Sequence, residues 1–137
     1  FPGVVELVRH LKSYDVPMAV ASGSLRSEVE SFLKALGLQQ CFSIIVSADD
    51  VKRSKPDPES YSVALRKLQQ KLALGRFDPK ACIAIEDTPA GIRSAKEAGL
   101  ITIGVTHSFG FDQLGEADRI LETLSGINLE QLVELIQ

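Results

Sequence analysis

The 137-residue sequence has the composition of a globular domain with a sizeable core, since 45% of its residues are hydrophobic and 24% are charged. The net charge is −3 and the Lys and Arg residues form no block, which argues against nucleic acid or an anionic membrane surface as the main partner. No apolar run approaches the roughly 18 residues that a membrane span needs. Cys41 and Cys82 have no metal-binding spacing, and we expect two buried thiols in a reducing, cytoplasmic environment.

Helical and strand-like periodicities alternate along the chain. This alternation is typical of a parallel sheet with helices on both faces, so the sequence predicts a single three-layer, Rossmann-like α/β domain over residues 1–137. The predicted strands cover 18–21, 42–46, 82–85, 101–105 and 118–121. The predicted helices begin near residues 4, 25, 58, 89 and 129, and a surface connection is expected over 74–80.

Two adjacent carboxylates, Glu86 and Asp87, follow directly after the predicted buried strand 82–85. In open α/β sheets, ligands bind at this end of the strands. Neighbouring carboxylates repel each other and lose solvation near a protein interior, and a hard cation such as Mg²⁺ relieves both problems. The alternative is that Asp87 caps the following helix while Glu86 stays solvated beside it.

The segment Ser22–Ser24 joins the strand 18–21 to a helix. A helix N-terminus offers free backbone N–H groups and the positive end of a dipole, which suit an anionic ligand such as phosphate. Ser22 can add its hydroxyl, and Gly23 lets the backbone approach closely. Arg26, further along, is placed to reach a substrate phosphate. The alternative is an ordinary helix capped by a serine.

Lys55 lies in a loop that Pro56 and Pro58 stiffen. A stiff mount suits an ammonium group that must point at a phosphate, whereas the alternative is a solvated surface lysine. The three segments, around Ser22, Lys55 and Glu86, all fall at the C-terminal edge of the predicted sheet. Together they offer a hydroxyl with amide donors, a cation and an acid pair, which are the groups needed to hold and polarise a phosphoryl group.

These segments give the chain a family resemblance, which runs from Phe1 to about Val105 and more weakly to the C-terminus. The sequence resembles the haloacid dehalogenase-like hydrolase superfamily, in particular its phosphoglycolate phosphatase and β-phosphoglucomutase-like branch. Val20–Ser24 is similar to the family's second motif, whose Ser or Thr binds the phosphoryl oxygen. Ser54–Glu59 is similar to the third, whose Lys steadies the nucleophile and the phosphate. Ile85–Gly99 is similar to the fourth, whose acids bind Mg²⁺.

The resemblance implies a Mg²⁺-dependent phosphatase or phosphomutase that acts on small phosphorylated metabolites. It implies catalytic roles for Ser22 and Lys55 and metal binding by Glu86 and Asp87. The phosphate-binding residues expected from the residues and the resemblance together are Ser22, Gly23, Ser24, Arg26 and Lys55.

The family's first motif, Asp-x-Asp-Gly-Thr, has no counterpart, because no two aspartates in the sequence are separated by one residue. That motif carries the nucleophile, so we expect the chain as given to be inactive or nearly so. The sequence resembles the second part of such an enzyme, without the nucleophile strand and the cap domain. In the family the missing strand lies between the strands that end at Ser22 and Glu86. The chain must leave a gap there, pair those two strands directly, or fill the place with another chain. We expect either a shifted sheet or strand exchange between copies, with self-association through unpaired strand edges.

Two other classes of function compete with this interpretation. A receiver-like regulatory module also uses acids, a hydroxyl and a lysine at strand ends, but its acid pair comes early in the chain, whereas here Ser22 and Lys55 precede Glu86. The other class is a non-catalytic binding or regulatory α/β module that pairs with another chain.

Overall fold

The computed structural model describes residues 2–72 and 78–137, so the predicted connection 74–80 lies partly outside the described residues. Helices and strands alternate as predicted, and the strands begin and end within two residues of their expected bounds. None of the described helices combines the length and the apolar character required to cross a lipid bilayer. In chain order, the elements are α1 Val4–Ser13, β1 Ala19–Ala21, α2 Arg26–Leu36, β2 Ile44–Val46, α3 Glu59–Leu72, β3 Ile83–Glu86, α4 Pro89–Glu97, β4 Ile101–Val105, β5 Arg119–Leu121 and α5 Leu129–Leu135.

The strands form two separate parallel sheets. β1 pairs with β2 in one sheet, and β3, β4 and β5 pair in that order in the other. Among the described residues, β1 and β3 share no ladder. The chain by itself therefore leaves this strand position open and does not close it by the expected shift of the sheet, whereas strand exchange between copies stays a prediction.

Helices cover both faces of the sheets, as the alternation of side chains along β3 shows. Ile83 and Ile85 pack with the cluster that α1 and α5 contribute on one face. Ala84, between them, packs with Tyr61 of α3 and Ala95 of α4 on the other face. The predicted three-layer α/β fold is thus confirmed.

The same alternation on β1 places α2 beside α1. Val20 packs with Val8 of α1 and Val29 of α2, whereas Ala19 and Ala21 pack toward α3. Because α1 and α3 each contact both sheets, helix packing holds the two sheets side by side where backbone pairing is missing.

A cavity of about 950 Å³ lies between β1 and β3. Its edges are the two strands, and its walls come from α1 and α5 on one face and from α3 on the other. The lining is mainly apolar and includes Leu7, Met18, Leu65, Ile85 and Leu132. The carboxyl end of the cavity is polar, and the residues there are considered below.

Gly3 brings the start of α1 against the chain that leads into α5. Its φ of 87° is in the left-handed region, and a Cβ on it would overlap the backbone of Leu124 and Ser125. Backbone atoms cannot give way as a flexible side chain can. Only glycine combines a favourable left-handed φ with the absence of a Cβ, and both are needed at this position.

Replacing Gly3 with alanine should therefore destabilise the chain by more than the roughly 1–2 kcal/mol that left-handed strain alone costs. The matched control is Gly126→Ala, because Gly126 has a similar φ of 78° but open space where its Cβ would lie. Urea unfolding of both variants measures the difference. Equal losses of unfolding free energy would show that the close approach at Gly3 is unimportant.

Candidate active site

A lysine–glutamate ion pair bridges the carboxyl end of the gap. Lys55 Nζ lies 2.5 Å from Glu86 Oε1, at the end of β3, and donates a hydrogen bond of 3.0 Å to the carbonyl oxygen of Ala21, at the end of β1. The side chains of Lys55 and Glu86 are only 18% and 9% exposed. The alternative of a solvated surface lysine is therefore wrong.

Tyr61 completes this arrangement, and sequence reasoning missed it. Its hydroxyl donates to Glu86 Oε1 at 2.5 Å, and Lys55 Nζ lies 5.1 Å from the centre of its ring. Burial, followed by the negative charges of Glu86 and Asp87, raises the pKa of Tyr61 well above its ordinary value, so the hydroxyl remains a donor. A buried tyrosine needs a hydrogen-bond partner for its hydroxyl. The tyrosine among the apolar residues of the predicted helix was therefore the sequence signal for a polar contact here.

Gly91 makes room for the carboxylate of Glu86. A Cβ on Gly91, in the first turn of α4, would overlap both carboxylate oxygens of Glu86. Thr88 is the cap of this helix, since its Oγ1 accepts a hydrogen bond from the Gly91 N–H at 3.0 Å. The alternative in which Asp87 caps the helix and Glu86 is solvated is wrong on both counts.

Asp87 is half-buried and accepts a hydrogen bond from Ser108 Oγ, in the loop after β4, at 3.1 Å. The described residues contain no group of three or more His, Cys, Asp or Glu side chains that could hold a metal ion. Mg²⁺ usually keeps several waters and needs only one or two carboxylates. Asp87 therefore fits a hydrated Mg²⁺, whereas Glu86 Oε1 already accepts bonds from Lys55 and Tyr61.

The loop Ser22–Ser24 is open at the same edge. The Ser22 N–H extends the ladder of β1 by bonding the Val46 carbonyl oxygen at 2.9 Å, and its Oγ accepts a bond from the Ser24 N–H at 3.1 Å. Gly23 is exposed, and no atom lies within 4 Å of where its Cβ would be. The cap position of α2 is Leu25 rather than a serine. Ser22, Lys55, Glu86 and Asp87 all line the cavity between β1 and β3.

Arg26 is bonded away from these residues. Its Nη2 donates to the Ile45 carbonyl oxygen at 2.7 Å and to Asp50 Oδ2 at 2.9 Å. Asp50 also accepts bonds from the backbone N–H and the hydroxyl of Ser47. The structure therefore shows Arg26 fixing the start of α2 to the end of β2.

The family model for haloacid dehalogenase-like hydrolases matches residues 1–105. The chain belongs to this family. It is 38% identical over 125 residues to validoxylamine A 7'-phosphate phosphatase from Streptomyces hygroscopicus subsp. limoneus, and the alignment covers 91% of this chain and 55% of that protein. The chain thus spans about half the length of this relative.

Two solved structures share the fold of this haloacid dehalogenase-like chain. A β-phosphoglucomutase from Clostridium difficile superposes with a TM-score of 0.83 at 26% identity, over 98% of this chain and 55% of that one. A haloacid dehalogenase family hydrolase from Deinococcus radiodurans R1, with bound phosphate and sodium, gives a TM-score of 0.83 at 27% identity, over 98% of this chain and 59% of that one. The resemblance found in the sequence is therefore confirmed at the level of family and fold.

Replacing Gly91 with alanine should destabilise the chain by about 1–3 kcal/mol, because Glu86 must move and lose charge-assisted hydrogen bonds from Lys55 and Tyr61. In a helix without this contact, the same change stabilises by about 1 kcal/mol. The control Gly110→Ala places a Cβ in open space and should be close to neutral. Chemical unfolding gives both values, and a stabilised Gly91→Ala variant would contradict the packing described.

Asp50 should contribute a pH-dependent part of the stability. The backbone N–H of Ser47 is the largest cause that lowers the pKa of Asp50 below its ordinary 3.8, with help from Arg26 and against an opposing effect of burial. A lowered folded-state pKa means that the contribution is complete above pH 3.8 and is lost as the pH falls through the folded value. Asp50→Asn should cost about 1–3 kcal/mol at neutral pH and progressively less below pH 3.8.

Unfolding at several pH values tests this, with the exposed Asp112→Asn as control. A cost of Asp50→Asn that stays constant from neutral pH to well below 3.8 would contradict the charge-based account.

Proposed function

We propose that this chain forms the phosphate- and magnesium-binding part of a phosphatase or phosphomutase that acts on a small phosphorylated metabolite. The observation that carries the proposal is the contact of Lys55 with both Glu86 and the carbonyl oxygen of Ala21. That contact brings the segments of the second, third and fourth family motifs to one edge of the molecule. Membership of the haloacid dehalogenase-like hydrolases supports the same conclusion.

In this proposal the site residues divide the work of holding a phosphoryl group. The hydroxyl of Ser22 and the N–H groups of the open Ser22–Ser24 loop bind its oxygens, and the ammonium of Lys55 balances its charge. Asp87 provides the carboxylate for Mg²⁺, on which enzymes of this family generally depend. When bound, the ion polarises the phosphoryl oxygens and neutralises developing charge. Glu86 holds Lys55 through Oε1, and its part as the second metal ligand stays a prediction.

Turnover needs a nucleophile that the 137 residues do not supply in the family's form. The missing Asp-x-Asp motif belongs to a strand, and the open cavity between β1 and β3 leaves two strand edges available to one. A parallel strand placed there would extend both ladders at once and would present its C-terminal end beside Lys55 and Glu86. We propose that such a segment completes both the sheet and the active site.

The substrate class follows from the relatives. The phosphatase from Streptomyces is named for a 7'-phosphate substrate and the Clostridium structure for a phosphoglucomutase. A small phosphorylated metabolite is the proposal for this chain. We also propose a cytoplasmic location, in which Cys41 and Cys82 would remain reduced thiols. Nucleic acid and membranes have no part in it.

The open cavity also favours a second candidate, a non-catalytic module that pairs with a strand of another chain. Unpaired strand edges bind extended segments through their backbones, whatever chemistry follows. Strand exchange between copies is one form that such pairing can take.

The assay that tests the proposal is hydrolysis of p-nitrophenyl phosphate with Mg²⁺, by the chain alone and after addition of a peptide with an apolar strand followed by Asp-x-Asp. The chain alone should give no turnover above background, because a covalent nucleophile contributes several orders of magnitude in rate. The peptide should restore Mg²⁺-dependent hydrolysis, and the matched Asn-x-Asn peptide should bind without restoring it.

Fast, metal-dependent turnover by the pure chain would refute the need for the added segment. Binding of the Asp-x-Asp peptide without any turnover would favour the non-catalytic module. Peptide binding is measured by fluorescence anisotropy, and its absence would contradict the role given to the cavity.

A further inference from the structure

One carboxylate oxygen serves two donors at the centre of the site. Glu86 Oε1 accepts hydrogen bonds from Lys55 Nζ and from the Tyr61 hydroxyl, each at 2.5 Å. The face of the Tyr61 ring also lies against the ammonium, 5.1 Å from Nζ. The tyrosine thus touches both members of the ion pair, one through its hydroxyl and the other through its ring.

The tyrosine side chain is itself held firmly. Tyr61 is 8% exposed and packs with Leu65 of its own helix, with Ala84 of β3 and with Ala95 of α4. A ring fixed between a helix and a strand presents its hydroxyl in one direction. Lysine has a long and flexible side chain, so the direction of its ammonium depends on its partners.

Removal of the tyrosine hydroxyl would leave the buried carboxylate with an empty acceptor position. Glu86 is only 7% exposed, so water has little access as a replacement partner. The carboxylate would then be free to turn about its terminal bond, and Lys55 would turn with it. The contact of Nζ with the Ala21 carbonyl oxygen would weaken as a result.

We propose that Tyr61 is a positioning residue for Lys55, acting through Glu86. Its hydroxyl fixes the carboxylate of Glu86. The carboxylate and the Ala21 carbonyl oxygen then accept hydrogen bonds from two of the three ammonium protons of Lys55. The third proton is directed into the phosphate pocket. The inference rests on the proposed function for the identity of the ligand, but the positioning itself can be measured without any ligand.

The first experiment follows the ammonium group of Lys55 by ¹H–¹⁵N NMR at low temperature, in the wild-type chain and in Tyr61→Phe. Phenylalanine keeps the ring and its contact with the ammonium and removes only the hydroxyl. We expect a slowly exchanging Lys55 signal in the wild type, and its loss or a clear shift in the variant. Thr102→Val is the matched control, since Thr102 is a buried hydroxyl on β4 whose bonds are to Asp118.

If Tyr61 were merely structural, Tyr61→Phe and Thr102→Val would each lower the stability and leave the Lys55 signal unchanged. An unchanged signal in Tyr61→Phe would therefore overturn the proposal. If Tyr61→Phe does not fold, 3-fluorotyrosine at position 61 replaces it, because this residue keeps the hydroxyl and alters the strength of its hydrogen bond. The Lys55 signal should then shift, and no shift would again overturn the inference.

The second experiment titrates inorganic phosphate in the presence of Mg²⁺. Tyr61→Phe should weaken the apparent phosphate affinity by about tenfold or more, the loss expected for one misdirected hydrogen bond from a charged group, with no change in Thr102→Val. Equal affinity in Tyr61→Phe and the wild type would overturn the positioning role. A wild-type chain that binds no phosphate, but whose Lys55 signal depends on Tyr61, would contradict the proposed function and support the positioning role.

Discussion

The ion pair between Lys55 and Glu86 is the interaction on which the carboxyl edge of this molecule depends. It links a loop before α3 to the end of β3, and the same ammonium reaches the last carbonyl oxygen of β1. A charge pair with so little exposure is stable only if its remaining hydrogen-bonding capacity is satisfied. The Tyr61 hydroxyl gives the carboxylate a second donor and the Ala21 carbonyl oxygen gives the ammonium a second acceptor, and Gly91 leaves space for the carboxylate.

This constraint explains how a divided sheet can still present one site. Between β1 and β3 there is a cavity instead of backbone pairing, and the core on either side of it is joined by α1 and α3. Helix packing sets the distance between the two sheets, while the lysine sets the relation of their carboxyl ends. The site and the gap are therefore two aspects of the same architecture, in which a strand position is left open beside Ser22, Lys55 and Glu86.

The fold was predictable from the sequence because its signals are local. The apolar periodicity of α1 and α2 and the β-branched runs of β2 and β4 identify these elements without knowledge of their partners. The segments around Ser22, Lys55 and Glu86 were identifiable for the same reason, since strand ends in a parallel sheet share one edge.

The contacts that decide each residue's role were not predictable, because their partners are distant in sequence. Arg26 was predicted to bind phosphate, and in the fold its guanidinium bonds Asp50 and the Ile45 carbonyl oxygen, partners that lie about twenty residues away in the sequence. Tyr61 stood among apolar helix residues and looked like part of the core. Glu86 and Asp87 are adjacent in sequence, yet one faces Lys55 and the other faces Ser108.

The most direct test of the central claim is a crystal structure of the chain soaked with Mg²⁺ and tungstate, a phosphate analogue that scatters strongly. The account predicts one tungstate within hydrogen-bond distance of both Ser22 Oγ and Lys55 Nζ, with Mg²⁺ bound through Asp87. Tungstate found only elsewhere, or a structure in which Lys55 and Glu86 are apart and face solvent, would contradict it.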